Sequence, residues 1–83
     1  HPQIAIGPKG ERVAFWDEIV TGRRRIFLSY RYEEGGFGPA EPLSELISGT
    51  YAMPVFADGA LVVAWTEGSG SDSHIAVRRL SAR

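Results

Sequence analysis

The sequence predicts an all-β protein assembled from two copies of one unit. Landmark residues recur at a fixed offset: Trp16 and Trp65, Glu18 and Glu67, Gly10 and Gly59, and Ile26 and Ile75 all lie 49 positions apart. A fixed period of a few tens of residues is the mark of a repeat architecture. Short runs of β-branched and aromatic residues also alternate with clusters of Gly, Pro and Asp, as strands alternate with turns. The helical signal is confined to Ser44–Ile47, about one turn.

The first unit spans residues 1–48. Gln3–Ile6 is a short apolar run, closed by the turn cluster Gly7-Pro8-Lys9-Gly10. Arg12–Trp16 reads as a strand, apolar enough to be buried on both faces. After a turn at Thr21-Gly22, Arg25–Tyr32 is rich in β-formers and carries charge near its ends. Glu33–Gly38 forms a second turn. Phe37–Leu43 contains Pro39 and Pro42, and proline donates nothing to a ladder, so this segment is at best an edge strand.

The second unit, 49–83, repeats the scheme. Met53–Ala57 is a strand and Asp58-Gly59 a strong hairpin signal. Ala60–Thr66 is a strand, Gly68–Ser73 a loop, and His74–Leu80 a strand. Three strands therefore stand where the first unit has four. Pro2 aligns with Pro54 only if three residues are dropped from the second turn.

Four short antiparallel strands per repeat of this length is the pattern of a β-propeller blade. A blade has two apolar faces and buries both by stacking between neighbours. Two blades do not close a ring, so the expected partners are the remainder of a longer propeller or further copies of the chain.

Composition narrows the function. With 83 residues and no cysteine, the chain has a thin core and no disulfide to support it. Two histidines are too few for a structural His/Cys zinc site. Nine Lys and Arg against ten Asp and Glu give a net charge of −1, which speaks against a nucleic-acid binder. No run approaches the apolar length of a membrane span. A first residue of His rather than Met points to a processed or truncated N-terminus, and zero cysteine fits a periplasmic or secreted location. No cofactor is implied.

Particular stretches resemble a known family. Pro2-Gln3-Ile4-Ala5-Ile6, Gly10 and Val13-Ala14-Phe15-Trp16-Asp17-Glu18 look like the opening strands of sialidase/neuraminidase-type (Asp-box) β-propeller repeats. Ile26-Phe27-Leu28-Ser29-Tyr30-Arg31 with Glu33, Gly35 and Phe37 resembles the third strand and its Asp-box turn. Pro54-Val55-Phe56-Ala57-Asp58-Gly59 and Val63-Ala64-Trp65-Thr66-Glu67 repeat the opening. The likeness covers about nine-tenths of the chain and speaks for architecture rather than chemistry, because one fold hosts many functions. The Asp box is degenerate: Glu33 replaces its Asp, and Phe37 arrives one residue early for its aromatic.

The resemblance singles out Tyr51. In sialidases a tyrosine that opens a late blade, ahead of an Asp-Gly hairpin, is the nucleophile, and Tyr51-Ala52-Met53-Pro54…Asp58-Gly59 is similar to that stretch. The small polar residues that often follow the tyrosine are missing. A phenol of pKa about 10 needs an activating base. The family draws that base, a glutamate, from elsewhere in its chain, and no residue here is assignable to it. Packing or hydrogen bonding at a strand start is the competing role for Tyr51.

Other groups invite chemistry. Trp16 and Trp65 can stack on sugars or pack between blades. Glu18 and Glu67, with Asp17, can act as a carboxylate pair in glycoside hydrolysis or sit as solvated turn residues. Arg23, Arg24 and Arg25 are consecutive, so they point to alternate sides and read as a solvated loop rather than a carboxylate clamp. Asp72-Ser73-His74 lacks the geometry of a triad. His1 has no second histidine placed near it to complete a metal site.

The expected function is a non-catalytic scaffold or recognition module of a sialidase-like propeller, binding glycan or protein. One alternative is the C-terminal piece of an exo-sialidase or related glycoside hydrolase with Tyr51 at its centre. Another is a small lectin that closes a propeller from copies of itself.

Overall fold

In a computed structural model, residues 2–31, 35–43, 49–68 and 70–80 are described. The chain forms two antiparallel sheets. The first runs β1 (Gln3–Ile6), β2 (Arg12–Val20), β3 (Arg23–Arg31) and β4 (Glu41–Pro42) in that spatial order. The second runs β5 (Gly49–Ala57), β6 (Ala60–Glu67) and β7 (His74–Leu80). Each sheet is a meander, so every ladder joins strands consecutive in sequence. Among the described residues no fourth strand pairs with β7. The expected one-turn helix at Ser44–Ile47, and His1, Tyr32 and Glu33, lie outside the described residues.

Turn chemistry sets the registers. Thr21-Gly22 and Asp58-Gly59 both have positive φ at their two central positions, 48° and 80° in the first and 50° and 76° in the second. That is the two-residue hairpin turn whose twist matches the strands it joins. The first turn lets β2 and β3 pair right up to it, with Val20 opposite Arg23. The strands are therefore longer than expected, and Arg23, Arg24 and Arg25 lie within β3 rather than in a loop. The Gly7–Glu11 turn is different. Pro8 takes the second position, Gly10 has φ 81°, the Gly10 N–H donates to Gly7 O and the Gly7 N–H to Glu11 O.

The difference between the two opening turns corrects the repeat alignment. Ile4 pairs with Ala14, and Pro54 with Val63, which is the 49-residue equivalent of Ala14. Ile4 thus corresponds to Pro54, and one residue separates the two turns rather than three. A three-residue loop in one unit is replaced by a two-residue loop in the other.

Strand alternation assigns the faces. Val13, Phe15 and Asp17 pair with Tyr30, Leu28 and Ile26, which puts all six on one face of the first sheet. Leu61, Val63 and Trp65 pair with Leu80, Arg78 and Ala76 on one face of the second. These two faces meet in a single core, in which Val13, Phe15, Ile26, Leu43 and Val63 are fully buried. Each such side chain contributes about 1.5–3 kcal/mol relative to exposure. The strand that reaches across is β5, which lies against β1, β2 and β3. Gly49 permits this approach, because a Cβ there would stand 3.2 Å from Trp65 Cδ1 and 3.3 Å from Ile26 Cδ1. The Arg78 guanidinium closes the other side by donating to Leu43 O at 2.6 Å.

The opposite face of each sheet is less covered than the sequence suggests. Arg12–Trp16 is buried on one side only: Val13 and Phe15 face the core, while Ala14 and Trp16 are half-buried on the outer face. Ile4 and Ile6 share that outer face and are exposed.

Candidate functional site

Polar side chains gather at one end of both sheets. This end holds the C-terminal halves of β2 and β6 and the first residues of β3, β5 and β7. The sequence leaves Asp17, Glu18 and Glu67 as a carboxylate pair or as solvated turn residues, and the turn reading fails for Asp17 and Glu67. Both lie within strands, with the Asp17 side chain 1% exposed and Glu67 buried. Long hairpins carry them inward: the Thr21-Gly22 turn keeps β2 in register past Trp16, and β6 extends through Glu67.

Asp17 is held from two directions. Arg24 Nη1 donates to Oδ1 at 2.7 Å from the diagonal position on the neighbouring strand, and Thr50 Oγ1 donates to Oδ2 at 3.2 Å from the other sheet. A buried carboxylate costs free energy unless it is hydrogen-bonded, and these donors supply the compensation. The link to Thr50 also fixes the start of β5 against the first sheet.

The two tryptophan–glutamate pairs share one device. Trp16 Nε1 donates to Glu18 Oε2 at 3.0 Å, and Trp65 Nε1 donates to Glu67 Oε1 at 3.4 Å. Residues two apart on a strand share a face, so the carboxylate reaches the indole N–H of its own strand. The copies differ in setting. Trp65 is only 6% exposed and belongs to the core. Trp16 is half-buried on the outer face and stacks on Phe27, with ring centroids 6.2 Å apart, while the Arg25 guanidinium lies 5.8 Å from the Phe27 centroid.

Glu67 has a second partner that sequence reasoning missed. His74 Nε2 lies 3.1 Å from Glu67 Oε2, and His74 Nδ1 lies 3.2 Å from Asp72 O. Both ring nitrogens thus face oxygen atoms. The Asp72 atom is its backbone carbonyl and not its carboxylate. The legible signal was register: an antiparallel ladder that ends at Glu67 places the first residue after the Gly68–Ser73 loop opposite it.

Tyr51 sits beside this cluster, one residue after Thr50. It is half-exposed and has φ 57°, in the left-handed region that disfavours side chains bearing a Cβ. The cause is local: the pairing of β5 with β6 shifts register between Thr50 and Met53. A bulge re-aims the side chain it carries.

The strand ends therefore bring together Asp17, Arg24, Thr50, Tyr51, Glu67 and His74. Glu18 and Trp16 lie at the same end on the outer face of the first sheet. Among the described residues no group of three or more His, Cys, Asp or Glu is placed to hold a metal ion, and no helix is long and apolar enough to cross a membrane. No protein-family model, curated protein or solved structure matches this chain.

Proposed function

We propose that the chain is a non-catalytic scaffold or recognition module, built as two blades of a sialidase-like β-propeller and presenting its strand ends to a glycan or a protein. The observation that carries this reading is the bonding of the carboxylates. Asp17 is bonded to Arg24 and Thr50, Glu18 to Trp16, and Glu67 to Trp65 and His74. Each carboxylate serves the scaffold, whereas acid–base work in glycoside hydrolysis needs carboxyl groups directed at substrate. The blade assignment draws support from two meanders in the same strand order and from the Trp–Glu hydrogen bond repeated at the same offset.

A second reading has one observation in its favour. Backbone strain at an exposed, chemically capable side chain is a feature of functional sites, and Tyr51 has it. On that reading the chain is a piece of an exo-sialidase or related glycoside hydrolase.

Hydrolysis of a fluorogenic aryl sialoside separates the two. The recognition module releases no more fluorophore than its Tyr51→Phe variant. Turnover that disappears in Tyr51→Phe overturns the non-catalytic reading.

A further inference from the structure

The repeat sets up a contact that the chain makes once and presents unmade at both ends. Within the chain, the core face of the first sheet covers the core face of the second. In the first sheet Ile26 and Leu28 are buried by that contact, at 1% and 4% exposed. Their equivalents at the 49-residue offset, Ile75 and Val77, lie on the far face of the second sheet and are 67% and 65% exposed. Met53 and Val55 share that far face and are also exposed.

The converse holds at the other end. Val63, Trp65 and Ala76 form part of the second sheet's covered face. Their equivalents Ala14, Trp16 and Phe27 lie on the outer face of the first sheet, together with exposed Ile4 and Ile6. The apolar centre of each half thus exists a second time on the opposite side of the molecule, rimmed by charge: Arg12 and Arg31 stand where the second sheet has Leu61 and Leu80, and Arg79 where the first has Tyr30. Contiguous apolar faces of this kind mark interaction surfaces.

We propose that copies of this chain associate head to tail, the face of Met53, Val55, Ile75 and Val77 in one copy seating on the face of Ile4, Ile6, Trp16 and Phe27 in the next. The occupant is a second copy because the chain already carries the matching half. Repeating the displacement that relates its own two sheets brings one copy onto the other. Such a contact is heterologous and closes a ring or extends a fibre according to the angle per step. Such association requires no ligand or activity, only the 49-residue repeat and the exposure of its two end faces.

The absence of cysteine from the sequence makes a direct test available. Ile4→Cys and Val77→Cys are prepared separately and treated with a short bismaleimide, alone and mixed. Head-to-tail association gives cross-linked dimer in the mixture and little in either pool alone. Dimer from Val77→Cys alone reveals a face-to-face contact and overturns the proposal, as does a monomeric mass by light scattering for the unmodified chain at high micromolar concentration. A charge on the far face, Val77→Asp, weakens association by at least roughly tenfold, because the carboxylate is desolvated in the contact. Its circular dichroism is unchanged, since Val77 is outside the core. Undiminished association of Val77→Asp also overturns the proposal.

Discussion

The indole N–H of Trp65 is bonded to the carboxylate of Glu67, two residues along the same strand and inside the core, while Trp16 and Glu18 make the same bond on an open face. The chemistry is equal and the setting is not. Glu67→Ala leaves a buried N–H without its acceptor and is expected to cost about 1–3 kcal/mol, whereas Glu18→Ala, where water replaces the carboxylate, costs less than about 1 kcal/mol. Urea denaturation of the two variants measures both, and equal losses would contradict the assignment of Trp65 to the core.

Asp17 predicts a coupling between the sheets. Asp17→Ala removes the acceptor of Thr50 and of half-exposed Arg24, with an expected loss of about 1–2 kcal/mol once solvent screening of the arginine is allowed for. Thr50→Val removes the same inter-sheet bond from the other side. In a double-mutant cycle the two losses are less than additive, by about 0.5–1 kcal/mol. Strict additivity would mean that the Thr50–Asp17 bond contributes nothing.

Gly49 predicts a steric cost. A methyl group there meets the Trp65 ring and the Ile26 side chain at 3.2–3.3 Å. Gly49→Ala is expected to destabilise by about 1–3 kcal/mol through overpacking, and Gly49→Val by more. Thermal unfolding measures the order. A neutral Gly49→Ala would show that β5 stands off from the first sheet.

Tyr51 predicts the opposite sign. Glycine adopts φ 57° without the penalty of about 1–2 kcal/mol that a Cβ incurs there. Tyr51→Gly is therefore expected to leave stability unchanged or to raise it by up to about 1 kcal/mol, the loss of a half-exposed ring offsetting part of the gain. A loss above about 2 kcal/mol, read from the denaturation midpoint, would make the ring a structural member.

Much of the strand plan was legible because turn chemistry is local. Asp58-Gly59 announced its hairpin and Thr21-Gly22 its turn, and Gln3–Ile6 and His74–Leu80 have the bounds their composition suggests. The starts of β3 and β5 were not legible. Arg23–Arg25 reads as loop by charge, yet a turn with two positive φ values holds those residues in the ladder opposite Glu18, Ile19 and Val20. Composition starts the next strand at Met53, yet a bulge carries it back to Gly49. At the candidate site, Trp16, Glu18, Trp65, Glu67 and Tyr51 were visible as residue types. What was hidden was pairing between distant segments. No spacing rule announces that Thr50 meets Asp17 or that Arg78 meets the carbonyl of Leu43.

The meander has a kinetic consequence. Hairpins joined by two- or three-residue turns close within microseconds, while contacts between distant segments form more slowly. Here every ladder is local. The bonds that join the sheets span much longer stretches, 33 residues from Asp17 to Thr50 and 35 from Leu43 to Arg78. The rate-limiting barrier is therefore expected to be the docking of two preformed meanders through β5. Substitutions at Gly49, Thr50 or Arg78 would register mainly in that step, and substitutions in the Asp58-Gly59 turn before it.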